Sequence, residues 1–73
     1  MIEWIPTPES SRTDAIAYLP EEDSILVRFP DGAEWRYDSC PANVWEEFAY
    51  PVTSKGAYIR EQLDQHPNGP FAS

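Results

Sequence analysis

Two short turn sequences, Pro20-Glu21-Glu22-Asp23 and Pro30-Asp31-Gly32, divide the first half of the chain into three runs of strand length. The runs are Ala15–Leu19, Ser24–Phe29 and Ala33–Tyr37. Pro-Asp-Gly suits a three-residue hairpin loop: a type I turn followed by a glycine in the left-handed region. That loop places Phe29 opposite Ala33, Val27 opposite Trp35 and Ile25 opposite Tyr37. A four-residue loop at Pro20–Asp23 places Leu19 opposite Ser24, Tyr18 opposite Ile25 and Ile16 opposite Val27.

Both loops therefore dictate one register. Side chains alternate across a strand, so one sheet face carries Ile16, Tyr18, Ile25, Val27, Phe29, Trp35 and Tyr37. The other carries Ala15, Ala17, Leu26, Arg28, Glu34 and Arg36 and is expected to stay open. A one-residue slip of either hairpin would put Arg36 among the apolar set, so the hydrophobic pattern and the turns select the same pairing.

The second half reads as helical. Pro41 stands at the first position of a helix over Pro41–Tyr50, with Val44, Trp45 and Phe48 on one side and Asn43, Glu46 and Glu47 outward. Pro51 ends it. A second helix starts at Ser54, an N-cap residue, and runs to about Gln65 with Tyr58, Ile59 and Leu63 as its apolar stripe. Two such helices fit over the apolar face of the meander. The expected fold is α+β: a three-stranded antiparallel β-meander followed by two short helices packed on one sheet face. Residues 1–12 read as an irregular arm broken by Pro6 and Pro8, and residues 66–73 as a turn-rich tail anchored by Phe71. The outer strands of the meander, unguarded by proline, are open to strand addition.

At 73 residues the chain forms one domain. Its 41% hydrophobic content, with three Trp, four Tyr and three Phe, suffices for a core. Five basic and thirteen acidic residues leave a net charge of −8, which repels phosphate backbones at long range. The one cysteine cannot form an intrachain disulfide, which fits a reducing cytoplasm. No run approaches the ~20 apolar residues of a membrane helix, and the first residues lack the pattern of a signal peptide. A cytoplasmic protein without membrane contact is expected.

No catalytic constellation is visible. His66 is the single histidine, at a helix end before Pro67, and lacks His or Cys partners at metal-ligand spacing. Cys40 is expected as a small buried residue between strand and helix. Glu21, Glu22 and Asp23 form a loop tip, without the cleft that paired catalytic carboxylates need. Ser54-Lys55-Gly56 suggests a helix cap rather than a phosphate loop, which requires two glycines at wider spacing before the lysine. Trp35 and Tyr37 would suit base stacking, but in this register they face the core. No catalytic, metal or cofactor site is therefore expected.

The order of motifs resembles the KTSC domain family. Trp35-Arg36-Tyr37 stands where that family carries an aromatic-x-aromatic motif. Tyr18 in the first strand, the Phe29–Gly32 turn, Pro41 and Trp45 at the next helix, and Ser54-x-Gly56-x-Tyr58 follow the same sequence of elements. The resemblance spans about residues 10–65. It implies a small bacterial or phage protein, or a module of the kind appended to some lysyl-tRNA synthetases. It implies no enzyme activity and no catalytic residues; the family's function is regarded as unknown, with RNA binding suggested. Here the Tyr58 motif continues Ile59-Arg60-Glu61-Gln62, without the Phe-Asn and basic stretch common in the family.

The expected function is that of a non-enzymatic interaction module, a monomer or weak dimer, that binds a protein partner. The alternative is RNA or other nucleic acid. The candidate binding residues are Arg28, Arg36, Lys55, Arg60 and Trp4, with Arg12 and Ile2 beside them. Convergence of the cations on one face would favour RNA, and acidic residues interspersed among them a protein partner.

Overall fold

A computed structural model describes residues 2–71. The two turns act as their sequences require. Around Pro30–Gly32, the Phe29 carbonyl accepts from Gly32 N–H at 2.9 Å and the Phe29 N–H donates to the Ala33 carbonyl at 2.8 Å. Gly32 has φ +91°, the left-handed conformation that costs glycine nothing. The Pro20–Asp23 loop closes with Asp23 at φ 52°, a region that aspartate tolerates better than most residues. Its carbonyl accepts from Cys40 N–H at 2.7 Å, tying the loop to the start of the helical half.

The sheet has five antiparallel strands in sequence order: β1 (Ile5–Pro6), β2 (Ala15–Leu19), β3 (Ser24–Arg28), β4 (Glu34–Tyr37) and β5 (Asn68–Pro70). The central pairs Ile16–Val27, Tyr18–Ile25, Leu19–Ser24, Val27–Trp35 and Ile25–Tyr37 follow the register dictated by the turns. The expected three-strand meander is thus the middle of a larger sheet. The N-terminal arm contributes β1, pairing Ile5 with Ile16 and Pro6 with Ala15. The tail contributes β5, pairing Asn68 with Tyr37, Gly69 with Arg36 and Pro70 with Trp35. Both additions contain proline, which an edge strand accommodates because one side of its backbone needs no partner. The two outer strands of the meander are therefore covered, not open to strand addition.

Helix α1 (Ala42–Ala49) begins one residue later than expected, with Pro41 as its extended N-cap. Helix α2 spans Lys55–Glu61, and the Ser54 side chain accepts from Ala57 N–H. The last turn of the expected second helix is a separate 3-10 segment at Leu63–Gln65. Phe48, Ile59 and Leu63 pack onto Ile16, Ile25, Val27 and Tyr37, and Cys40 joins them; Phe48, Ile25, Val27, Cys40 and Leu63 are fully buried. Tyr18 stacks on Trp45 with ring centroids 5.4 Å apart and planes 7° from parallel. Its hydroxyl donates to the Cys40 carbonyl at 2.8 Å, which fixes the strand–helix junction where Ser39 takes φ 59°.

Candidate binding surfaces

The second sheet face, expected to stay open, carries Arg28 and Arg36, and carboxylates occupy both. Trp4, just before β1, lies on this side, and the Arg28 guanidinium sits over its ring, 4.3 Å from the centroid. Arg28 Nε also donates to Glu34 Oε2 at 2.9 Å. Arg36 Nε donates to Asp38 Oδ1 at 2.9 Å, and its Nη2 reaches Glu22 Oε1 at 2.8 Å and Ser24 Oγ at 3.0 Å. Ser24 Oγ in turn donates to Asp38 Oδ1 at 2.7 Å. That bond first, and the Arg36 bond after it, hold the Asp38 carboxyl below its ordinary value.

This face is less open than its residue types suggest. Ala15, Ala17 and Leu26 are buried on it, at 5%, 0% and 0% exposure. Such apolar strand residues need cover, and arginine stems supply it while their heads remain at the surface. Trp4 is half-buried against Arg28 and so serves this chain's own sheet, which removes it as a free anchor.

Lys55, Arg12 and Arg60 lie elsewhere, around an open groove of about 460 Å³ between the loop Glu9–Arg12 and the segment Pro51–Ala57. The five candidate residues therefore do not form one surface. Lys55 is 4% exposed. Its Nζ donates to the carbonyls of Tyr50 at 3.1 Å and Thr53 at 3.2 Å, capping the turn that follows α1. Burial lowers its pKa. It is a structural cation rather than a displayed one. Arg60 is exposed and 3.7 Å from Glu61, a loose surface pair.

Arg12 was a minor candidate, yet it is the cation with the most freedom to bind. It is exposed, and its guanidinium has no hydrogen-bond or ion-pair partner among the described residues. Its stem is fixed all the same. A Cβ built on Gly56 would stand 2.6 Å from Arg12 Cγ and 3.2 Å from Arg12 Cβ, so the glycine of the Ser-x-Gly motif makes room for this side chain. The loop behind it is held by Thr7 and Thr13, both buried, whose hydroxyl oxygens are 2.7 Å apart, and by Ser10 Oγ, which accepts from Thr13 N–H at 3.2 Å. The sequence signal for this contact was the glycine itself, but nothing local says which distant side chain it admits.

The remaining titratable candidates are internal. Burial pushes the Cys40 thiol up to about 11, aided by the nearby Asp38 and Asp23 carboxylates. Such a thiol stays protonated at neutral pH and is a poor nucleophile. His66 is half-buried at the end of the 3-10 turn, where its backbone N–H donates to the Leu63 carbonyl at 2.9 Å. Among the described residues no group of three or more His, Cys, Asp or Glu side chains is placed to hold a metal ion, and no helix is long and apolar enough to cross a membrane.

A proline-edged antiparallel sheet with two helices on one face, and Trp4 against Arg28 on the other, defines a small α+β domain. The chain belongs to the KTSC domain family, whose model matches residues 9–66. Its fold is that of a KTSC domain protein from Yersinia pestis, known from a crystal structure, with a TM-score of 0.86 at 20% identity. The likeness covers 99% of this chain and 100% of that one. No curated protein matches the chain.

Proposed function

We propose that this KTSC domain is a non-catalytic interaction module that binds a protein partner. The observation that carries the reading is the pairing of Arg28 and Arg36 with Glu34, Glu22 and Asp38. Nucleic-acid affinity rests on cations free to neutralise successive phosphates. Here the strand-face cations are already matched by carboxylates, within a chain of net charge −8. Tyr37, at 3% exposure, is unavailable for stacking, and Trp35 is half-buried against the core with its Nε1 donating to Asn68 Oδ1 at 3.0 Å. The buried, protonated Cys40 thiol supports a structural role for the chain's one cysteine. The proline-bearing β1 and β5 support a monomer over a dimer joined strand to strand.

The test is recovery of partners on the tagged protein from cells of its native host, with and without nuclease treatment. A protein that stays bound after nuclease is the expected result. A partner lost on nuclease treatment, with RNA recovered in its place, would overturn the reading in favour of RNA binding.

A further inference from the structure

The groove beside α2 gathers the basic residues that lie away from the carboxylate-matched Arg28 and Arg36 of the sheet face. Arg12, Lys55 and Arg60 line it, three of the chain's five basic residues, while among the described residues Glu9 is the one carboxylate in its walls out of thirteen in the chain. Lys55 is committed to backbone carbonyls, so the cation on offer is Arg12, whose guanidinium has no partner among the described residues, with exposed Arg60 beyond it. Pro51 and Val52 form an apolar rim on the same groove, and Val52 is 83% exposed. An exposed β-branched residue beside a pre-positioned guanidinium is a complementary pair of contacts: one for an apolar side chain, one for a carboxylate.

We propose that this groove is the docking site for a partner protein's segment that carries a carboxylate next to an apolar side chain. Arg12 holds the carboxylate, and Pro51 and Val52 take the apolar neighbour. The inference rests on the protein-binding reading above and names the site for it. A single anionic group fits better than a polyanion for two reasons. Among the described residues only Arg12 and Arg60 are exposed cations of the groove, too few to track a phosphate backbone, and none of those lining it is aromatic to stack a base. Packing of the Arg12 stem over Gly56 lowers the ordering cost that a free arginine would bring to binding.

The test is an amide chemical-shift titration of the labelled protein with the capped tripeptide Leu-Asp-Leu, its neutral counterpart Leu-Asn-Leu, and hexauridylate. The expected result is saturable shifts at Ser10–Arg12 and Thr53–Ala57, with the neutral peptide weaker by about tenfold or more, the scale of one charge-assisted hydrogen bond. Arg12→Met keeps the stem over Gly56, removes the charge, and should weaken the acidic peptide by a similar factor. Glu9→Gln removes the groove's one carboxylate and should tighten binding, a gain that misfolding cannot mimic. Equal binding of the two peptides, no saturable shift from either, or indifference to Arg12→Met would overturn the groove assignment. The protein-binding reading would then still stand or fall by the nuclease experiment. Tighter groove binding of hexauridylate than of the acidic peptide would overturn both.

Discussion

Replacing Gly56 with alanine sets two effects of known size against each other. Gly56 lies in the first turn of α2, where alanine gains at most about 1 kcal/mol of helix propensity. Against that, the new Cβ would sit 2.6 Å from Arg12 Cγ and 3.2 Å from Arg12 Cβ. These atoms are close to the Arg12 backbone, so rotating the guanidinium end away relieves nothing. The Glu9–Arg12 loop itself must retreat, and it is tied down at Thr13 by Ser10 Oγ and by Thr7. Overpacking of this kind costs about 1–3 kcal/mol, leaving a net loss of about 1 kcal/mol. For a domain of this size that lowers Tm by about 4–8 °C. Thermal melts followed by circular dichroism, with urea titrations for the free energy, would measure it. The Arg12→Gly background supplies the control. With both clashing carbons removed, Gly56→Ala should become neutral or stabilising, so the two substitutions are coupled. A Gly56→Ala protein as stable as the parent, or equally destabilised with and without the Arg12 side chain, would refute the close-approach argument.

Further outcomes follow from the core and the titrating groups. Phe48→Ala empties the centre of the helix–sheet interface and should cost about 3–5 kcal/mol, so urea titration should find the variant largely unfolded at room temperature. The lowered Asp38 value stabilises the fold fully above its ordinary 3.8, and this contribution is lost as pH falls through the lower folded value. Asp38→Asn should therefore lose less stability than the parent over that acid range; equal losses in urea titrations would count against the Ser24–Asp38–Arg36 network. Tyr37 and Tyr58 are both pushed up to about 12, chiefly by burial, with the Glu47 carboxylate adding to Tyr58. The fold favours their neutral phenols, so stability is full below the ordinary 10.0 and declines as pH rises towards about 12, and phenolate absorbance should show these two rings ionising late.

The middle of the fold was legible because short-range rules governed it. Gly32, two turns of defined length and strict alternation from Ala15 to Tyr37 left one register available, and the structure has it. The Ser54 cap and the Phe48 and Ile59 stripes were equally local. β1 and β5 were not legible, because Ile5-Pro6 and Asn68-Gly69-Pro70 have turn-like compositions and become strands only through neighbours already in place. The candidate site suffered the same way. Arg28, Arg36 and Trp4 share a face as expected, but Glu22 and Asp38 come to Arg36 from a loop and a strand end. Lys55 reads as a surface cation until its two carbonyl acceptors are seen. Arg12 gained weight only once Gly56 was found beneath it.

The pairing of β4 with β5 sets an order of events in folding. Trp35 and Pro70 are partners across both helices, whereas β2, β3 and β4 join through loops of four and five residues. Closing the short loops is fast, and the long closure is the slower step. During synthesis the meander can form as soon as Tyr37 has emerged, yet the free edge of β4 stays bare until Asn68–Pro70 arrives. Over that interval the nascent domain presents an unpaired, aromatic strand, and three residues rich in glycine and proline bring its exposure to an end.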